Sequence, residues 1–102
     1  MFGFLKNLMG SNQVNFGDLI TNGAIILDVR TKEEYNSGHI NGAVNIPLNT
    51  LTANMKKLNK KKVIITCCAS GGRSSVARDI LQQHGFEVYN GGGWTSLRQY
   101  CS

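Results

Sequence analysis

The stretch Thr66-Cys67-Cys68-Ala69-Ser70-Gly71-Gly72-Arg73-Ser74-Ser75 constrains this chain more than any other. Before it runs Val63-Ile64-Ile65-Thr66, a β-branched segment that reads as a buried strand. After it, Ser75 to His84 reads as a helix. A strand that turns into a helix through glycines and small polar residues aims several backbone N–H groups at one point. That point lies at the positive end of the helix dipole, where an anion is stabilised. Cys68 is the side chain best placed to become that anion. Helix N-termini lower a thiol pKa from its free value near 8.5, and the thiolate is the reactive form. The stretch therefore nominates Cys68 as a nucleophile held as a thiolate.

The rest of the chain alternates in the same way. Phe16 to Ile20 has apolar residues at helical spacing and stops at Asn22-Gly23. Ala24 to Val29 is a continuous apolar run, as in a strand buried on both faces. Thr31-Lys32-Glu33-Glu34 fits a capping box that opens a short helix. Ala43 to Ile46 is a second strand, stopped by Pro47. Asn49 or Thr50 can cap a helix carrying Leu51, Met55 and Leu58. Gly85 ends the helix after the cysteine loop, and Phe86 to Tyr89 forms another strand. Asn90-Gly91-Gly92-Gly93 turns into a last helix, Trp94 to Tyr100. The expectation is an α/β domain over residues 13–102, preceded by a short apolar segment and linker at 1–12. Its core is a mainly parallel central sheet of about five strands with helices on both faces. Such sheets bind ligands outside the carboxyl ends of their strands, where the Cys68 loop falls.

Charge and cysteine usage narrow the setting. Three cysteines, two of them adjacent, make no disulfide framework. Reduced thiols fit a reducing compartment, so a cytoplasmic location is expected. The net charge is +5, and Lys56, Lys57, Lys60, Lys61 and Lys62 carry much of the positive side. This run reads as a solvated helix end and loop; its sharper readings are attraction of small anions or of an acidic partner. No aromatic platform is interleaved with it, which argues against nucleic acid. Residues 1–10 are apolar but lack the features of a signal peptide. They fall far short of the roughly 20 residues that span a bilayer, so no stable membrane insertion is expected.

Four motifs, taken together, resemble single-domain rhodaneses. They are Asp28-Val29-Arg30, Glu33-Glu34-Tyr35, Gly38 to Pro47, and Cys68-Ala69-Ser70-Gly71-Gly72-Arg73-Ser74; Gly91-Gly92-Gly93-Trp94 fits too. The resemblance implies a rhodanese-like fold and sulfur transfer. Cys68 would take a sulfane sulfur from a donor such as thiosulfate or a persulfide. It would then pass the sulfur to a thiophilic acceptor: cyanide, a small thiol or a thiol protein. The loop Ala69, Ser70, Gly71, Gly72, Arg73 and Ser74 would hold the persulfide anion. No metal and no organic cofactor is implied.

The residues leave alternatives open. Counted from Cys67, five residues precede Arg73, and Cys-x5-Arg-Ser is the signature of cysteine-based phosphatases and some arsenate reductases. Against that reading, Cys67 falls where the resemblance has the last strand residue, and the loop offers no general-acid carboxylate. A non-catalytic persulfide carrier or binding module also fits, because no charge lies between Cys68 and Arg73. Arg73 either grips thiosulfate oxygens or locks the loop, and Ser74 either donates to sulfur or caps the helix. His39, Asp28, Arg30 and Trp94 read as fold-holding residues, with a proton-donor role for His39 as its functional option. Cys101 reads as an incidental thiol that is exposed or half-buried.

Overall fold

The structure is a computed structural model that describes residues 14–101. The apolar segment expected over residues 1–12 lies outside the described residues. Four strands form one parallel sheet: β1 Ile25–Asp28, β2 Val44–Asn45, β3 Ile64–Cys68 and β4 Val88–Gly93, in the order β2-β1-β3-β4. The expected sheet of about five strands is thus a sheet of four among the described residues.

Strand alternation divides the core into two layers. Leu27, Ile64, Cys68 and Val88 join Leu51 of α3 (Leu51–Asn54) and Ala77 and Leu81 of α4 (Gly72–Gln83) in one cluster. Ile26, Ile65 and Cys67 join the other, beneath α1 (Phe16–Thr21), α2 (Lys32–Asn36) and α5 (Trp94–Leu97). Both faces are covered, which is why the strands read as unbroken apolar runs. Ile64 and Ile65 are fully buried on opposite faces, each stabilising the fold by about 1.5–3 kcal/mol.

Local signals account for most element ends. Thr31 caps α2 and Glu34 reaches back to the Thr31 N–H at 3.0 Å, completing the capping box. Gly85 follows α4 at φ +89, the left-handed conformation that ends helices. Two expectations need correction. The third helix is broken into a 3-10 turn at Leu48–Thr50, the single α-turn of α3 and a 3-10 turn at Met55–Lys57. Thr50 does not cap it: its hydroxyl donates backwards to the Pro47 carbonyl at 2.9 Å. Asn90 to Gly93, expected as a turn, instead forms the last four of the six residues of β4. Glycine is required there for close approach. A Cβ on Gly91 would lie 2.8 Å from Ile65 Cγ2, and one on Gly93 would lie 3.0 Å from the Ala69 carbonyl oxygen.

Candidate active site

The site forms where β3 passes into α4. Cys68 is the last residue of β3, and α4 begins four residues later with Gly71 at its N-cap, φ +110. No side chain caps α4 from that position. The first N–H groups of any helix lack partners within it. Here the cysteine sulfur receives them: Gly71 N–H donates to Cys68 Sγ at 3.0 Å and Ser74 N–H at 3.3 Å. The sulfur itself occupies the place of a capping group. Ser74, for which capping was one expectation, is the third helical residue, and its Oγ lies 3.3 Å from Cys68 Sγ.

These contacts set the state of the thiol. Cys68 is 1% exposed, and burial alone pushes its pKa up. The Ser74 hydroxyl and the N–H groups of Ser74, Gly71 and Ser70 outweigh burial and hold it below the ordinary value. Cys67 has no such set of donors. It is fully buried in the opposite layer, and burial, reinforced by the Asp28 carboxylate, pushes it up to about 12. A thiol in that state is no nucleophile at neutral pH.

Of the other loop residues, Ala69, Ser70 and Gly72 are exposed, while Ser74 is buried. Arg73 turns to Glu34, with Nη1 to Oε1 at 2.7 Å and Nη2 to Oε2 at 3.0 Å. This bidentate pair ties the loop to α2, and Arg73 lowers the Glu34 carboxyl to about 2. Thr66 Oγ1 donates to the Ser74 carbonyl at 2.9 Å, fixing the first turn of α4 to β3.

Asn90 was not visible as a site residue in the sequence. It stands in the extended tail of β4, with Oδ1 2.7 Å from Ser74 Oγ and 2.9 Å from Gly92 N. Gly92 N–H fixes which amide atom faces the serine, so Asn90 presents an acceptor to Ser74. The one signal that could have found it is its position beside three glycines, which bring backbone against backbone.

The residues expected to hold the fold lie on the other side of the sheet. Asp28 is fully buried and paired with Arg30, Nη2 to Oδ2 at 2.7 Å. Arg30 also donates to the Gly38 carbonyl at 2.7 Å and lies 4.6 Å from the Trp94 ring centre. Trp94 is half-buried, with Arg98 4.8 Å from the same ring. His39 stacks on Tyr35 at 3.7 Å and its Nδ1 lies 2.7 Å from the Tyr35 carbonyl oxygen. None of these His39 contacts reaches the Cys68 loop. Cys101 is half-buried against the same layer as Cys67.

The arrangement can stabilise a negatively charged sulfur with fixed dipoles in a water-poor cradle, without a general base. The chain is similar to known proteins. Over 62 residues the chain is 42% identical to the putative sulfur carrier protein YrkF of Bacillus subtilis; the match covers 61% of this chain and 34% of that protein. The chain thus spans about a third of that relative's length. It is 34% identical over 70 residues to the thiosulfate sulfurtransferase PspE of Escherichia coli, covering 66% of this chain and 67% of PspE. Among solved structures, a rhodanese-related protein from Thermoplasma volcanium superposes with a TM-score of 0.74 at 33% identity, covering 87% of this chain and 92% of that one. The profile of the rhodanese-like domain matches residues 5–99. That span takes in all four strands and the whole Cys68 loop, and the chain belongs to the rhodanese-like domain family, whose members include sulfurtransferases and sulfur carriers.

Proposed function

We propose that the protein is a sulfurtransferase that works through a persulfide on Cys68. The observation that carries the reading is the convergence of the Gly71 and Ser74 N–H groups on Cys68 Sγ at 3.0 and 3.3 Å, with Ser74 Oγ 3.3 Å from the same sulfur. Family membership supports it, as do relatives named for thiosulfate sulfurtransfer and for sulfur carriage. In the first step the Cys68 thiolate attacks the outer sulfur of a donor such as thiosulfate. The donor S–S bond breaks, its electron pair leaves with sulfite, and Cys68 keeps a persulfide anion. In the second step a thiolate or cyanide attacks that outer sulfur and Cys68 departs as thiolate. Splitting the transfer in two is nucleophilic catalysis. The same N–H groups serve both anions, since the terminal sulfur lies at the mouth of the same helix N-terminus. Thiols kept reduced for this chemistry fit a cytoplasmic setting.

Arg73 is read as the anchor of the loop, because both arms of its guanidinium are bound to Glu34. A carrier that only parks sulfur shares the first step and lacks the second. Mass spectrometry after exposure to a sulfane-sulfur donor tests the reading. Gain of one sulfur atom on the Cys68 peptide, lost again on addition of cyanide or a thiol with turnover, supports it. Loading without turnover supports the carrier, and loading on Cys67 overturns both.

A further inference from the structure

The reading above leaves the chemical class of the donor open, and the mouth of the site bears on it. A compact dianion such as thiosulfate needs a cation to offset its desolvation as it approaches a buried thiolate. The loop supplies none in free form. Ala69, Ser70, Gly71 and Gly72 are uncharged, and the Arg73 guanidinium is matched by Glu34 across two bonds of 2.7 and 3.0 Å. The lysines at 56–62 precede β3, whereas Cys68 ends it. At roughly 3.3 Å per residue, the five residues of β3 put about 16 Å between them, twice the Debye length of about 8 Å at physiological salt. The charge of these lysines therefore acts weakly at the sulfur.

Beside this neutral mouth lies a groove of about 320 Å³ lined by Val29, Thr31, Pro47, Leu48, Asn49 and Arg73. Arg73 is the wall it shares with the Cys68 loop. Val29 and Leu48 on its apolar floor belong to the same core cluster as Cys68. The volume falls at the lower end of small-ligand sites, and a mainly apolar lining with a few polar groups is the usual make-up of such sites. Among the described residues, Arg73 is the only charged side chain lining it.

We infer that this groove receives the apolar body of an organic sulfane-sulfur donor, and that Cys68 loads from organic persulfides or thiosulfonates in preference to inorganic thiosulfate. The inference rests on the sulfurtransferase reading. The chemistry is the same for each donor. The Cys68 thiolate bonds to the outer sulfur, the donor S–S bond breaks, and its electron pair leaves with the organic thiolate or sulfinate. No oxidant or reductant is consumed, and Cys68 ends as a persulfide anion. The groove holds the leaving half while the loop N–H groups receive the sulfur.

The test compares benzenethiosulfonate with thiosulfate, which carry the same sulfane sulfur on an aryl monoanion and an inorganic dianion. Single-turnover loading of Cys68 is followed by mass, and each rate is divided by that donor's rate with free cysteine. The expected ratio favours the aryl donor by about tenfold or more, the scale on which apolar contacts discriminate substrates. Leu48→Asn should lower that ratio by weakening the aryl arm. Glu34→Gln keeps an acceptor for the Thr31 N–H but leaves Arg73 uncompensated, so it should lower the ratio by accelerating thiosulfate. If Leu48→Asn fails to fold, Glu34→Gln decides. A normalised ratio of one or below, or a ratio that neither variant moves, overturns the inference while loading itself upholds the sulfurtransferase reading. If neither donor loads Cys68, that reading falls as well.

Discussion

Cys67 faces the layer built from Ile26, Ile65 and Leu97, and Cys68, one residue further along β3, faces α4. Both are buried, so burial does not separate them. Backbone donors do. Cys67 is pushed up to about 12, while the N–H groups and hydroxyl around Cys68 hold it below the ordinary thiol value. The contrast shows that in this fold a thiol is held below its ordinary pKa by a helix N-terminus rather than by exposure. It also shows how one step of strand alternation changes the chemistry of a side chain.

Substituting each thiol in turn should break the comparison most sharply. Cys68→Ser is expected to abolish sulfur loading, whereas Cys67→Ala keeps it and costs folding stability on the order of 1–2 kcal/mol for the small cavity left in the core. Peptide mapping after brief iodoacetamide treatment at pH 7 should find Cys68 labelled first and Cys67 unlabelled until the chain unfolds. The reverse order would move the nucleophile to Cys67.

Ser74→Ala sharpens the contrast by removing the hydroxyl that helps hold the Cys68 thiol down, while leaving Cys67 untouched. The midpoint of the alkylation-rate profile for Cys68 should therefore rise, with Cys67 unmoved. Gly91→Ala acts on the Cys67 side, where its Cβ would press on Ile65 and Leu97. It should lower stability by about 1–3 kcal/mol in a urea melt without changing which thiol alkylates first.

The smallest effect is expected at the Glu34–Arg73 pair, each side chain of which is about a third exposed, at 36% and 37%. The Glu34 carboxyl is lowered from 4.5 to about 2, so the pair stabilises the folded state fully above pH 4.5. That contribution is lost as pH falls from 4.5 through 2. Exposed pairs contribute about 0.2–1 kcal/mol, so the unfolding free energy of the native protein from urea melts should drop by that much more than that of Glu34→Gln over this range.

The sequence made the strand–loop–helix unit legible because its signals are local. β-branched residues, two glycines and a helix-spaced run lie within one short window, and the Thr31–Glu34 capping box spans only four residues. That Cys67 and Cys68 face opposite layers was legible for the same reason, from strand alternation. Asn90 was not, because it meets Ser74 across 16 positions of chain, through a strand extended by glycines that ordinarily mark a turn. The Arg73–Glu34 pair was equally hidden as a partnership: it joins residues 39 positions apart, and only the folded sheet brings α2 beside the loop.

The tail of β4 has one further consequence. Pairing of Gly93 with Cys68, after a register shift, fixes the end of β3 through main chain. Ala69, Ser70 and Gly72 point their side-chain positions into solvent and are asked for no packing. Their identities are therefore free to vary while the cradle keeps its shape, and a lysine introduced at residue 69 would recruit a different clientele of donors to an unaltered sulfur.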